Sequence, residues 1–170
     1  MSDQTLRRGA VEESGGAYVA QADDHQRIRW VDGVSIRILL DASKTAGQLA
    51  VVEEVITEPN ATPLHIHPAD EQTFIVLEGS LRVWVGGERH EVDAGGIAFL
   101  PRGIPHAVRV TSTPARLLVL GIPAGEEELF RRAGWDMSQP VPPDWALTPA
   151  QVAAAGSAIG HTILGPPPSE

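Results

Sequence analysis

Cysteine is missing from this 170-residue chain. That absence excludes a disulfide framework and any thiolate metal site, so a bound metal would have to be held by histidine, carboxylate or amide groups. Basic residues are also scarce, 13 Lys and Arg against 22 Asp and Glu, for a formal charge of −9. With no basic block, the chain lacks the electrostatic footprint of a nucleic-acid binder or an anionic-membrane binder, and small molecules are the expected partners. No apolar run approaches the roughly 18 residues needed to span a bilayer. The first residues, MSDQTLRRGAVEESGG, lack the apolar stretch of a signal peptide, so a soluble cytoplasmic protein is expected. No repeat of fixed period is present.

What the chain does have is 42% hydrophobic residues, enough for one well-buried core. Residues 1–26 are polar, without sustained periodicity, and read as a flexible N-terminal arm. From Arg27 short runs rich in Val, Ile, Leu and Trp alternate with turn signals: RIRWV, VSIRILL, QLAVVEEVIT, PLHIH, TFIVLEG, SLRVWV, ERHEV, IAFLP, HAVRV and ARLLVLGIP. This is the spacing of nine or ten short strands with no helix over residues 27–123, hence an all-β antiparallel sandwich or barrel. Gly86-Gly87 marks a tight hairpin. Residues 124–170 read as a helical extension with a Pro-rich tail. Ala124 to Trp135 places acids early and arginines late, as a short amphipathic helix does. Thr148-Pro149-Ala150-Gln151 combines an N-cap, a proline at the first helical position and the third residue of a capping box.

His65 and His67 stand two apart in a strand-like run, so both imidazoles face one side of the sheet. A third histidine, His106, follows the Pro101-x-Gly103 turn. Three inward histidines on a small barrel suit the ligand set of one divalent transition metal, and imidazole suits Fe, Ni, Mn, Cu and Zn alike. Taken singly, His25, His90 and His161 carry no partner motif, and surface or satisfied-polar roles are expected for them. Trp30, Trp84, Phe74 and Phe99 are expected in the core or pocket wall. For Arg37, Arg109 and Glu54, strand alternation leaves inward and outward positions equally open.

These motifs resemble those of the cupin superfamily, the small double-stranded β-helix or jelly-roll family. The first cupin motif, G-x5-H-x-H-x3,4-E-x6-G, is matched by His65, His67 and Gly79, with Asn60 or Pro59 where its leading glycine would fall. The second, G-x5-P-x-G-x2-H-x3-N, is matched by Gly95, Pro101, Gly103 and His106, with Val110 in place of the final asparagine. The resemblance covers Val34 to Pro123 and is nearest to small bacterial cupins similar to quercetin 2,3-dioxygenase. It implies a metal-dependent dioxygenase acting on a small aromatic or enolic metabolite, commonly as a homodimer paired through sheet edges. A non-oxidative metal-dependent isomerase or cyclase, or a non-catalytic ligand-binding cupin, are the alternatives, because the fold hosts all three.

The family's glutamate position falls on an amide. Counting six residues back from Gly79 reaches Gln72, and alternation with Phe74 and Val76 turns Gln72 inward and Glu71 outward. Glu71 fits the spacing after His67 but would need a bulge before Gly79. With Gln72 as the fourth metal-site residue beside His65, His67 and His106, the site loses its obvious general base and offers a weak neutral oxygen instead.

Overall fold

The computed structural model describes residues 16–169. The expected N-terminal arm falls mostly on residues 1–15, outside the described residues. Ten strands account for the architecture: β1 (Gln26–Arg29), β2 (Val34–Leu40), β3 (Ala50–Ile56), β4 (Leu64–Ile66), β5 (Glu71–Val85), β6 (Glu88–Asp93), β7 (Ile97–Leu100), β8 (His106–Ile122), β9 (Trp135–Asp136) and β10 (Thr162–Gly165). Three helices join them: α1 (Ala42–Thr45), α2 (Glu127–Ala133) and α3 (Pro149–Ala158).

Two of the strands are longer than their local turn signals suggest. TFIVLEG and SLRVWV form the single strand β5, while HAVRV and ARLLVLGIP form β8. Each bends midway and serves two layers. The first half of β5 pairs with β7 and with the second half of β8, which continues to β3, β2, β1 and β9; the second half of β5 pairs with β6 and the first half of β8. Strand β4 joins β8 through His65 opposite His106, and β10 adds to β4. This folded-over antiparallel sheet is a jelly roll.

Gly79 is the hinge of β5. Its φ is +80°, and a Cβ there would stand 2.8 Å from the Ala115 Cβ across the ladder, so any side chain would push the two strands apart. Between the layers lies the core, in which Ile28, Ile36, Val52, Val76, Leu81, Val83, Leu117 and Val119 are almost wholly buried. All of them stand on inward positions of alternating strands.

The helices differ from expectation in one respect. Asp41 caps a single helical turn, α1, by accepting from the amides of Ser43 and Lys44, although no helix was expected before Pro123. A run of four residues carries no readable helical period. The two later helices form where the sequence placed them. Thr148 accepts from the Gln151 amide while Gln151 accepts from the Thr148 amide, closing the capping box of α3. Helix α2 is tied to the barrel through polar contacts: Arg131 reaches Asp41, Glu128 and Gln26, and the buried Glu127 carboxylate accepts from the amides of Ala42 and Gly125. Those bonds set the position of the residue just before the helix, Glu126. No helix of the described residues is long and apolar enough to cross a membrane.

Candidate metal centre and its cavity

The three histidines of the two motifs converge. Their ring centroids lie 4.4 Å (His65 to His106), 4.9 Å (His65 to His67) and 4.9 Å (His67 to His106) apart. Local backbone orients each ring. Nδ1 of His65 donates to the Pro63 carbonyl at 2.8 Å, and Nδ1 of His106 donates to the Ile104 carbonyl at 2.9 Å. His67 Nδ1 donates to the Asp70 carboxylate at 2.8 Å. Each acceptor takes the Nδ1 proton, so each Nε2 keeps its lone pair.

That assignment leaves an otherwise costly feature. His106 is 0% exposed and its Nε2 has no hydrogen-bond partner, an unmet buried acceptor that coordination of a cation would satisfy. Ligand atoms of His65, His67 and His106 all lie within 4.8 Å of one another. Burial also keeps the rings neutral, as metal ligation requires: it lowers the pKa of His65 to about 3 and of His106 to about 4, with neighbouring imidazoles adding to the effect, and it lowers that of His67 despite the Asp70 contact. The residues present therefore fit a metal ion.

Position 72 faces the interior. Gln72 is 5% exposed and lines the cavity, whereas Glu71 is on the outer face, 3.1 Å from Arg102. Val76 and Phe74 continue the inward row without a bulge between Gln72 and Val76. The Gln72 amide donates to the Glu126 carboxyl, which leaves the amide oxygen free. Thus an acid stands beside the metal site after all, brought in by the segment between β8 and α2 rather than by β5. Glu126 can lie there because Gly121 has no side chain; a Cβ would be 3.2 Å from the Glu126 Oε2. Burial, reinforced by Glu54, raises the Glu126 pKa well above the ordinary carboxyl value.

His161 takes the satisfied-polar role of the two expected for it, and it does so against the three-histidine cluster. It is buried, stacks on His67 with centroids 3.5 Å apart, and its Nε2 donates to Asp70 at 3.2 Å. Asp70 thereby holds two imidazoles, and although burial raises its pKa, the bonds from His161 and His67 outweigh that and lower it. His67, Asp70 and His161 form a second ligand-bearing cluster sharing His67. No local spacing could have signalled it, since His161 precedes β10 at the far end of the chain. His90 is on the exposed face near Glu88, and His25 lines a small separate hollow. Because carboxylates that orient ligating histidines set their affinity, Asp70→Asn is expected to weaken metal binding by about 10- to 100-fold in a competition titration with a chromophoric chelator. Unchanged affinity would remove Asp70 from the site's support.

A cavity of about 620 Å³ opens from this cluster. Its wall is mainly apolar, including Trp30, Phe74, Leu117 and Phe130 from the barrel and α2, and Val152 and Ile163 from α3 and β10, which cover it. Glu54 is inward, on its wall. Arg37 and Arg109 are not: Arg37 pairs with Glu53 on the outer face, and Arg109 donates to the Pro168 carbonyl and lies over Trp84. Phe99, expected in the core or pocket wall, is 55% exposed, because its partner Thr73 is on the outward row of β5.

A jelly-roll barrel with a three-imidazole pocket defines the class, and comparison with known proteins names the family. Residues 53–121 match the cupin domain family. The chain carries a cupin domain on the cupin fold. It is 30% identical over 117 residues to quercetin 2,3-dioxygenase of Bacillus subtilis (strain 168), covering 69% of this chain and 34% of that protein, so the matched stretch spans about a third of the relative. Among solved structures, KdgF from Halomonas sp. superposes with a TM-score of 0.58 at 16% identity over 66% of this chain and 98% of that one. The polyketide cyclase RemF from Streptomyces resistomycificus superposes with a TM-score of 0.52 at 26% identity over 63% of this chain and 75% of that one.

Proposed function

We propose that this cupin is a metal-dependent enzyme of the dioxygenase type, acting on a small aromatic or enolic metabolite. The observation that carries this reading is the set of three neutral imidazoles, each with a free Nε2, opening on a largely apolar cavity with a carboxyl group beside it. His65, His67 and His106 would hold one divalent transition ion, with the Gln72 amide oxygen next to them. When bound, such an ion supplies Lewis acidity toward an enolic or phenolic oxygen and access to redox chemistry. The chain's own residues do the rest. Glu126, its pKa raised by burial, holds a proton to higher pH than an exposed carboxyl would, so it can donate one at Oε2 as a general acid. Asp70 and the two backbone carbonyls keep the three Nε2 atoms aimed at one point. Helix α3 and β10 add apolar wall to one side of the cavity.

Aerobic turnover of flavonols and simpler enols, with the protein loaded in turn with iron, nickel, manganese or copper, tests the reading. Oxygen uptake with one metal is expected; none with any metal would remove the oxidative activity. A non-oxidative isomerase or cyclase is the second reading, favoured by the neutral Gln72 and by the likeness to a polyketide cyclase. It requires turnover without oxygen.

Gln72→Glu is expected to raise metal affinity by about tenfold, since a carboxylate oxygen binds a divalent ion better than an amide oxygen does. It should also destabilise the metal-free protein, because the new acid faces Glu126 in a buried place. Unchanged affinity would argue that position 72 does not touch the ion. We also propose a homodimer in solution. Ile97, Phe99, Leu77 and Ile122 form exposed apolar area on the outer face of β5, β7 and β8. Sedimentation equilibrium should give twice the chain mass for the native protein and the single-chain mass for Phe99→Asp.

A further inference from the structure

Glu54 is a partly buried carboxyl that the proposed chemistry leaves without a task. It is an inward residue of β3, flanked in register by Ile36 on β2 and Leu117 on β8, and it borders the cavity. The histidines come from the opposite layer of the jelly roll. Along β3 and its neighbours, the row of Glu54, Leu117 and Val76 is four residues away from the row of Ala50, Gly121 and Gln72, roughly 13 Å along the strands. Among the described residues nothing donates a hydrogen bond to Glu54, and burial alone raises its pKa, to about 7. A carboxyl placed against an apolar wall without a partner costs free energy that a well-packed leucine would not.

The rest of the cavity narrows what could meet it. Among the described residues no arginine or lysine lines the wall, so a phosphate or sulfate would enter beside Glu54 and Glu126 with no cation from the protein to pair with. A ligand ammonium would pair with Glu54 but would have to shed its water against Ile56, Phe74 and Phe130. A neutral ring system with a hydroxyl group at each end meets both demands: apolar faces for the wall, one oxygen at the imidazoles and one at Glu54.

We propose that Glu54 is a specificity-determining residue that hydrogen-bonds the distal hydroxyl of an uncharged polyhydroxylated ring substrate, whose other oxygen sits at the histidine cluster. This rests on the reading of the cavity as the substrate site of a metal enzyme. The probes are 2-naphthol, 2,6-dihydroxynaphthalene, 2-naphthyl phosphate and 2-naphthylmethylammonium, titrated by fluorescence against the full chain, as purified and after chelator treatment. The wild type should bind 2,6-dihydroxynaphthalene about tenfold more tightly than 2-naphthol, a gain typical of one buried hydrogen bond to a carboxyl group, and the phosphate at least about tenfold more weakly than 2-naphthol. Glu54→Leu should abolish the preference for the second hydroxyl, and Glu54→Gln should keep most of it; metal content should be the same in all three.

A preference that survives Glu54→Leu overturns the proposal, as does tighter binding of the phosphate. So does an ammonium probe that binds best in the wild type. Should Glu54→Leu fail to fold, infrared difference spectra decide: the protonated carboxyl band that Glu54→Gln lacks should shift with 2,6-dihydroxynaphthalene and not with 2-naphthol, and an unshifted band overturns the assignment. Loss of metal binding and turnover with the hydroxyl preference intact would instead refute the enzymatic reading and leave Glu54's role standing.

Discussion

Replacing His106 with alanine is expected to lower metal affinity by at least about 100-fold, and to leave the purified protein with almost no bound metal. The estimate follows from the ligand count: support residues alone are worth about 10- to 100-fold, and a ligand itself more. His106 has no other use for its Nε2, which is buried without a partner, and its ring is already fixed by the Ile104 carbonyl. Thermal stability gives a second readout. A ligand that binds only the folded chain stabilises it by about 4 kcal/mol at a thousandfold excess over its dissociation constant. At that zinc concentration a site about 100-fold weaker keeps only about 1.4 kcal/mol, so zinc should raise the Tm of the wild type about three times as much as that of His106→Ala, or more. In the absence of metal the two Tm values should be closer, because alanine loses packing but also removes an unsatisfied nitrogen. A variant that still takes up one ion per chain with native affinity would exclude His106 as a ligand.

Glu54→Gln is expected to stabilise the metal-free protein at alkaline pH and to change little near pH 4.5. The carboxyl titrates near 4.5 in the unfolded chain and is raised to about 7 in the fold. Between those values the folded chain holds a proton that the unfolded chain has lost, so stability falls as pH rises through that window and stays lowered above it. The interval corresponds to roughly 3 kcal/mol, which the glutamine, neutral throughout, does not lose. His65 and His106 act with the opposite sign. Their folded values, about 3 and about 4, are below the ordinary 6.5, so their contribution is present above pH 6.5 and is lost as pH falls toward 4. In the wild type the two slopes partly cancel between pH 4.5 and 6.5. Urea unfolding at pH 5, 7 and 9 should therefore show the Glu54→Gln advantage growing with pH. An advantage that is constant across the three would mean that Glu54 titrates as an ordinary exposed acid.

Much of the candidate metal site was legible because its signals are local. The two-residue spacing of His65 on β4 and His67 just after it, and the Pro101-x-Gly103 turn ahead of His106, state in sequence which side chains share a face. Alternation from Phe74 and Val76 likewise turned Gln72 inward, where the structure has it. The strand pattern over residues 27–123 and the capping box at Thr148 rest on the same kind of short-range rule. Local rules misled where pairing outweighs them. TFIVLEG and SLRVWV read as separate strands, as do HAVRV and ARLLVLGIP, yet β5 and β8 each run through both because each half finds a partner in its own layer. The surrounding acids and His161 were illegible for a different reason. Glu126 and His161 come from a helix entrance and the C-terminal cover, and only the docking of α2 and α3 on the barrel brings them to Gln72 and Asp70, whereas Asp70 meets His67 through the short loop after β4, a contact that no spacing rule states. The absence of a glutamate from the inward row of β5, where Gln72 stands, therefore suggested a site without a base, while Glu126 waited on another element. Phe99 was misplaced because a single aromatic reads as core until the register with Thr73 is known.

The central claim is that His65, His67 and His106 hold one metal ion. X-ray absorption at the zinc edge of the zinc-loaded protein tests it most directly. Three imidazole nitrogens at about 2.0–2.1 Å with oxygen completing the shell are expected, falling to two in His106→Ala at saturating zinc. A spectrum with one imidazole or none, or one unchanged by the substitution, would contradict the account.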